Sequence, residues 1–354
     1  MNPEFATMLL ILMAGILFTF PLLPALIELH FKRDAQPLNV IQQYAGEIRH
    51  FSYGFRAYIA DLLGPLQECV ASGASAKGVM PDGDEYLLLG RADNASVATC
   101  GGKLQNCDFV VVVGPDVVLP DRVTFAKEIY AAGECTGGEE SVFRALLGEK
   151  DIHLRRGSTV NRWAHAVGAF RAECGCNLCG RVSSDRIIRL ESGCVFQRLN
   201  APRIAFGGPN VESTDADVDT PHSPLPRSRR LVDEDLIIPA GETVGMNIVT
   251  RGRLHIGAGA RVLGSVKSNQ ELVVEAGACV EGSLICASTV HIGRDCQIAG
   301  PVIAEHAMAV ETGTRCGSVQ SPTTVSAPTI GISEGAVVFG TLWARNEGQV
   351  VPRE

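Results

Sequence analysis

The sequence predicts a mainly β protein, a β-solenoid (β-helix) of about 18 residues per coil, with an N-terminal transmembrane helix and a short helical neck. Three observations predict this class. Residues 6–27 carry no charge. Apolar residues then recur every three or four positions from Val40 to Leu62. From Leu236 onward the chain breaks into lines of 18 whose aliphatic and glycine columns align.

The N-terminal run is long enough to span a bilayer, since about 20 apolar residues suffice as a helix. A cleaved signal peptide would need a basic n-region, and Asn2-Pro3-Glu4 supplies none. Positive charge follows the run at Lys32 and Arg33. The expectation is therefore a single-pass bacterial inner-membrane anchor (residues 1–30), with the bulk of the chain in the cytoplasm. A reducing compartment then keeps the cysteines as thiols.

Residues 31–106 are expected to form a helical juxtamembrane region and a loop. Val40, Tyr44, Ile48, Phe51, Phe55 and Ile59 mark one stripe of a helix running from Asp34 to about Leu66, with Pro37 and Pro65 at its ends. Tyr86–Leu89 and Phe109–Val113 have strand character. Residues 107–206 form a degenerate solenoid block and 207–234 a polar linker or insertion with the basic cluster Arg227-Ser228-Arg229-Arg230. Residues 235–354 form the second block.

In the second block the lines start at Leu236, Leu254, Leu272, Val290, Met308 and Ile330. The third position is Ile238, Ile256, Val274, Ile292, Val310 and Ile332. Positions one and three lie on the same face of a short strand. The sixth position is glycine except at Asp295, which suits a corner with positive φ. Inward residues at positions nine and thirteen complete three short sides. Such coils stack about 4.8 Å apart through main-chain hydrogen bonds and are stable only in series. Ile152, Phe170 and Ile188 carry the same spacing in the first block, with glycines at 157, 175 and 193.

Composition agrees. Glycine is 38 of 354 residues, while aromatics are only 6%, as expected of a narrow interior filled by Val, Ile and Leu. The formal charge of −8 argues against a general nucleic-acid binder. Phosphate-binding loops and nucleophile elbows do not occur in the sequence.

Phrases such as Val280-Glu281-Gly282-Ser283-Leu284 and Gly335-Ala336-Val337-Val338-Phe339-Gly340, with the 18-residue coils, resemble the bactofilins, polymer-forming bacterial cytoskeletal proteins. The resemblance covers roughly the last third of the chain. It implies nucleotide-free, end-to-end self-assembly, often at a membrane. Hexapeptide-repeat acyltransferases share the coil length and would imply an acyl-CoA substrate and a histidine base.

The histidines available to that second reading are His153, His165, His255, His291 and His306, with His255 and His291 at outward second positions. Cys174, Cys176, Cys179 and Cys194 suggest a thiolate site for zinc or iron–sulfur, Cys194 following Cys176 by 18 residues. Small buried thiols in a solenoid are the competing account, and the pattern favours it. The sequence therefore calls for no catalytic residue, metal or cofactor. It predicts a membrane-anchored scaffold whose partners are other copies, the inner membrane through residues 6–27 and unidentified proteins. The assembly face expected is the exposed final coil, Ile330, Ile332, Val338 and Leu342, where Val338→Asp would break both packing and assembly.

Overall fold

The structure is a computed structural model that describes residues 5, 8–10, 13–15, 17, 20–22, 45–90, 105–208 and 228–353. It divides into two units, 1–44 and 45–354.

In the first unit the described residues are short helical pieces and a 3₁₀ turn, Phe20–Leu22. Among the described residues no helix is long and apolar enough to cross a membrane. This overturns the expected inner-membrane anchor over residues 6–27 and the single-pass localisation built on it. Pro21 lies inside the 3₁₀ turn rather than in a continuing α-helix, and proline removes the donor an α-helix would need there. Residues 23–44, including the start expected for the neck, lie outside the described residues.

The second unit begins with two helices, α1 (Ala45–Tyr58) and α2 (Leu63–Ser72), joined by a 3₁₀ turn over Ala60–Leu62. Pro65 does not end a helix. It sits in the first turn of α2, where no intrahelical donor is lost. Gly73 closes α2 at φ 69°, its N–H capping the Cys69 carbonyl.

A β-solenoid of about 13 turns with about 18-residue coils follows. Each coil has three sides. In the second block, side A stacks Leu236–Ile238, Leu254–Ile256, Leu272–Val274, Thr289–Ile292 and Ala307–Val310 in parallel. Side B stacks Thr243–Val244 through Arg315–Cys316. Side C stacks Arg229–Val232, Asn247–Thr250, Val266–Ser268, Leu284–Cys286 and Val302–Ala304. Register is exact to the repeat, as Leu236↔Leu254 and Leu254↔Leu272 illustrate. A one-residue slip would turn every inward side chain outward. Corner glycines take the expected left-handed conformation, for example Gly277 at φ 69°. Asp295 takes it at φ 56°, a conformation aspartate tolerates better than most residues.

The first block is built the same way. Its ladder reaches back to Glu85–Leu89, which pairs in parallel with Val110–Val113 and antiparallel with Ser75–Val79. The interior is wider than the composition suggests. Phe125, Phe143, Phe170, Phe196 and Phe206 are all fully buried. Phe125 and Phe143 stack with centroids 5.3 Å apart. Room is made locally: a Cβ on Gly137 would fall 2.9 Å from the Phe143 ring.

The two blocks do not continue one another. The last strand of the first block, Val195–Phe206, pairs antiparallel with the last strand of the chain, Val337–Val351. Leu199 meets Leu342, Ile204 meets Val338 and Phe196 meets Gly348. Two solenoids of one hand, wound toward each other along a common axis, meet with antiparallel strands. The chain is thus two blocks joined tail to tail. Residues 209–227, outside the described residues, link the junction to the far end of the second block, where Arg229–Val232 forms the first rung. The basic cluster at 227–230 therefore lies partly in a strand rather than wholly in a tether.

Helices α1 and α2 cover side C of the first block. Phe55, Ile59, Leu62, Leu66 and Cys69 pack on Leu88, Val110, Val112, Tyr130, Leu147 and Trp163. Strands there are buried on both faces, hence the unbroken run Val110–Val113.

Candidate functional site

The final coil is not an open face. Ile330, Ile332, Val338 and Leu342 are inward and at most 1% exposed. Their coil is closed by the antiparallel strand Val195–Phe206, including Val338 with Ile204 and Leu342 with Leu199. The coil expected to be an open assembly edge is thus paired within the chain. Counting repeats cannot reveal that a second solenoid end lies in the same chain to meet it.

The open coil lies at the other end of the second block. Leu236 and Val244, interior residues elsewhere in their columns, are half-buried there. The corresponding end of the first block is covered, with Leu87, Leu89, Cys107 and Leu119 at most 2% exposed. On side C of the open coil, the inward column that runs Leu284, Val266, Ile248 terminates in Arg230. Arg230 is exposed at that register, and a charge there opposes dry stacking by another coil, one of the ways sheet edges are protected. The signal was present in the sequence, since 18 residues before Ile248 is Arg230.

The four clustered thiols do not gather at one point, although Cys176 and Cys194 touch. Cys174 donates to Glu191 Oε2 at 3.1 Å, Cys176 to the Arg155 carbonyl at 3.2 Å, and Cys194 to the Glu173 carbonyl at 3.1 Å. Cys179 donates to Asn177 Oδ1 at 3.2 Å. Among the described residues no three His, Cys, Asp or Glu side chains are grouped to hold a metal ion. Cys176 and Cys194 instead belong to a corner ladder. In several coils the residue after the positive-φ corner carries a small polar group that donates to a carbonyl about one coil earlier, while in others it is alanine. Ser158 donates to Gly138 O at 2.7 Å and Thr314 to Gly293 O at 2.6 Å. Cys296 donates to Glu275 O at 3.0 Å. At a second corner Ser184 reaches Gly168 O, Ser268 reaches Gly252 O and Cys286 reaches Gln270 O. Cysteine here substitutes for serine or threonine. Contact with the Cys176 sulfur, then burial, raises the Cys194 thiol. Burial pushes Cys135 up to about 12, and burial followed by the neighbouring Cys296 does the same to Cys316. The thiols of Cys194, Cys135 and Cys316 therefore stay protonated and are poor nucleophiles and ligands, whereas contact with Cys194 lowers that of Cys176.

The outward histidines have carboxylate partners that the sequence did not disclose. His153 meets Glu173 at 2.9 Å, His255 meets Glu275 at 2.7 Å and His291 meets Glu311 at 3.0 Å. In each case the glutamate lies two positions further along the next coil, a 20-residue spacing that a search for it would have found. His165 differs. It is buried beneath α1, with Nδ1 2.9 Å from Ser183 Oγ and Nε2 3.9 Å from Asp185. Burial lowers its pKa. Arg49 bridges to Asp185 at 3.1 Å, and Arg56 makes two bonds to Glu149 at 2.7 and 2.8 Å.

These features define a β-solenoid protein whose helical layer is clamped to one side. Comparison with protein-family models, curated proteins and solved structures gave no match.

Proposed function

We propose that the protein is a structural scaffold: a rigid two-block rod that works through its sides rather than its ends. The bactofilin-like coil repeat supports the structural class. The observation that carries the reading is the junction. The final-coil edges that would template contacts between copies pair with each other within the chain. The remaining open coil presents Arg230 at its inward register. A rod with these ends stays a single chain rather than growing into a filament. Light scattering of the full chain across a wide concentration range tests this. A constant monomer mass is expected, and Arg230→Leu, which completes the apolar column, is expected to induce association. Concentration-dependent growth of the unaltered chain would refute the reading.

One observation favours a second reading, acyl transfer from acyl-CoA: the three outward histidines each pair with a glutamate in the same register. Saturable acyl-CoA binding, with turnover lost in His291→Ala, is what that reading requires.

A further inference from the structure

Side C of the first block is a demonstrated helix-binding surface, and its outward column does not stop where the helices do. Trp163, which receives Phe55 of α1 at 5.8 Å, aligns with Arg181, and Arg181 with Arg198. Arg198 then aligns across the junction with Trp343. From there the same column continues through Ser326, Ile303, Ile285, Lys267, Val249 and Leu231. In the first block Trp163 and Arg181 lie beneath α1. In the second the column is uncovered: Trp343 is 43% exposed, Ile303 36%, Ile285 38% and Leu231 57%.

The covered part reveals why a helix fits. Arg49 bridges to Asp185 and Arg56 to Glu149, two coils apart. Seven helical residues rise about 10.5 Å and two coils about 9.6 Å, so α1 runs along the solenoid axis with nearly one helical turn per rung. Its amino end lies near Arg181, whose guanidinium stands 5.3 Å over the Phe51 ring. The described part of the helical layer starts at Ala45, close to the junction, and the apolar column runs on past it. Arg198 sits 5.4 Å over the Trp343 ring, carrying the same cation–π arrangement onto the uncovered side.

We propose that side C of the second block docks an amphipathic α-helix of a partner protein, laid along the solenoid axis as α1 is. From Trp343 to Leu231 the column crosses six coil steps, about 29 Å, the length of a helix of about 19 residues. The partner helix presents one apolar residue per turn to Trp343, Ile303, Ile285 and Leu231. It carries a carboxylate near its middle, opposite the exposed Lys267, which makes no ion pair among the described residues. The proposal takes the scaffold's sides as its working surfaces and is separable from the test of its ends.

A fluorescein-labelled 20-residue synthetic helix, with leucine at every third or fourth position and one central glutamate, is the probe, titrated with the full chain by fluorescence anisotropy. Saturable one-to-one binding is expected. Ile303→Asp and Ile285→Asp should each weaken it by about tenfold or more, as loss of an apolar anchor does. Lys267→Glu should weaken it too, and Val273→Asp, outward on side A, should leave it unchanged. These side chains point outward, so the melting temperature serves as the check that each variant folds. Absence of saturation, or binding indifferent to Ile303→Asp, overturns the proposal. So does a full chain whose mass by light scattering falls on Ile303→Asp, because the column would then be covered by a second copy.

Discussion

Leu199 and Leu342 face each other across the junction, and both are fully buried. Truncating either to alanine removes buried carbon and leaves a cavity that the flanking strands close only in part. Each single change should cost about 2–5 kcal/mol. The two cavities adjoin, so the second truncation enlarges a void already formed. The double variant should fall short of the sum by about 0.5–3 kcal/mol, the range for residues in contact. Urea unfolding reports it, because the chain has 2 tryptophans, Trp163 in the first block and Trp343 in the second. With the blocks packed into one core, both tryptophans report one midpoint, and both midpoints shift in every variant. Additive costs, with Trp163 insensitive to Leu342→Ala, would refute the reasoning.

Other outcomes follow from the same geometry. A Cβ at Gly348 would run into the Phe196 ring, so Gly348→Ala should cost about 1–3 kcal/mol in urea unfolding, the range for overpacking, with partial rescue by Phe196→Leu. Burial lowers the pKa of His165, so the unfolded chain takes up the proton more readily than the folded one. The stability tied to neutral His165 is present above about pH 6.5 and is lost as pH falls below it. His165→Gln should therefore flatten the decline in melting temperature between pH 7.5 and 5.5. Cys176→Ser and Cys194→Ser should each change stability by less than about 1 kcal/mol, since serine fills the same ladder at Ser158 and keeps one hydrogen bond of that size. A chelator should leave the melting temperature of the unaltered chain where it was.

The coil was legible because a solenoid writes its geometry into every line. A corner that needs positive φ recurs as Gly241, Gly259 and Gly277, and inward columns recur as aliphatic residues. The fate of the coil ends was not legible. Val338 looks like an exposed edge in a linear count, and only the antiparallel pairing with Ile204, 134 residues earlier, buries it. Apolar length alone also misled at residues 6–27, where the described residues include a 3₁₀ turn containing Pro21 and no helix long and apolar enough to cross a membrane. The thiol cluster drew attention through cysteine chemistry, yet the corner position decides its role. Cys176 and Cys194 sit where Ser158 and Thr314 sit in other coils. The outward column on side C was hidden for a different reason. Its members belong to both blocks, and their order along the axis reverses at the junction.

The tail-to-tail junction carries this account, and one cross-link tests it. Asn200 aligns with Thr341, its side-chain amide donating to Thr341 Oγ1 at 2.9 Å. Antiparallel partners stand about 4.5–5.5 Å apart at Cα, within disulfide reach. Mild oxidation of the Asn200→Cys, Thr341→Cys chain, mapped by peptide mass, should yield the 200–341 disulfide, whereas Asn200→Cys, Leu231→Cys should yield none. If the second pair joins and the first does not, the second block continues the first in line, and the account is wrong.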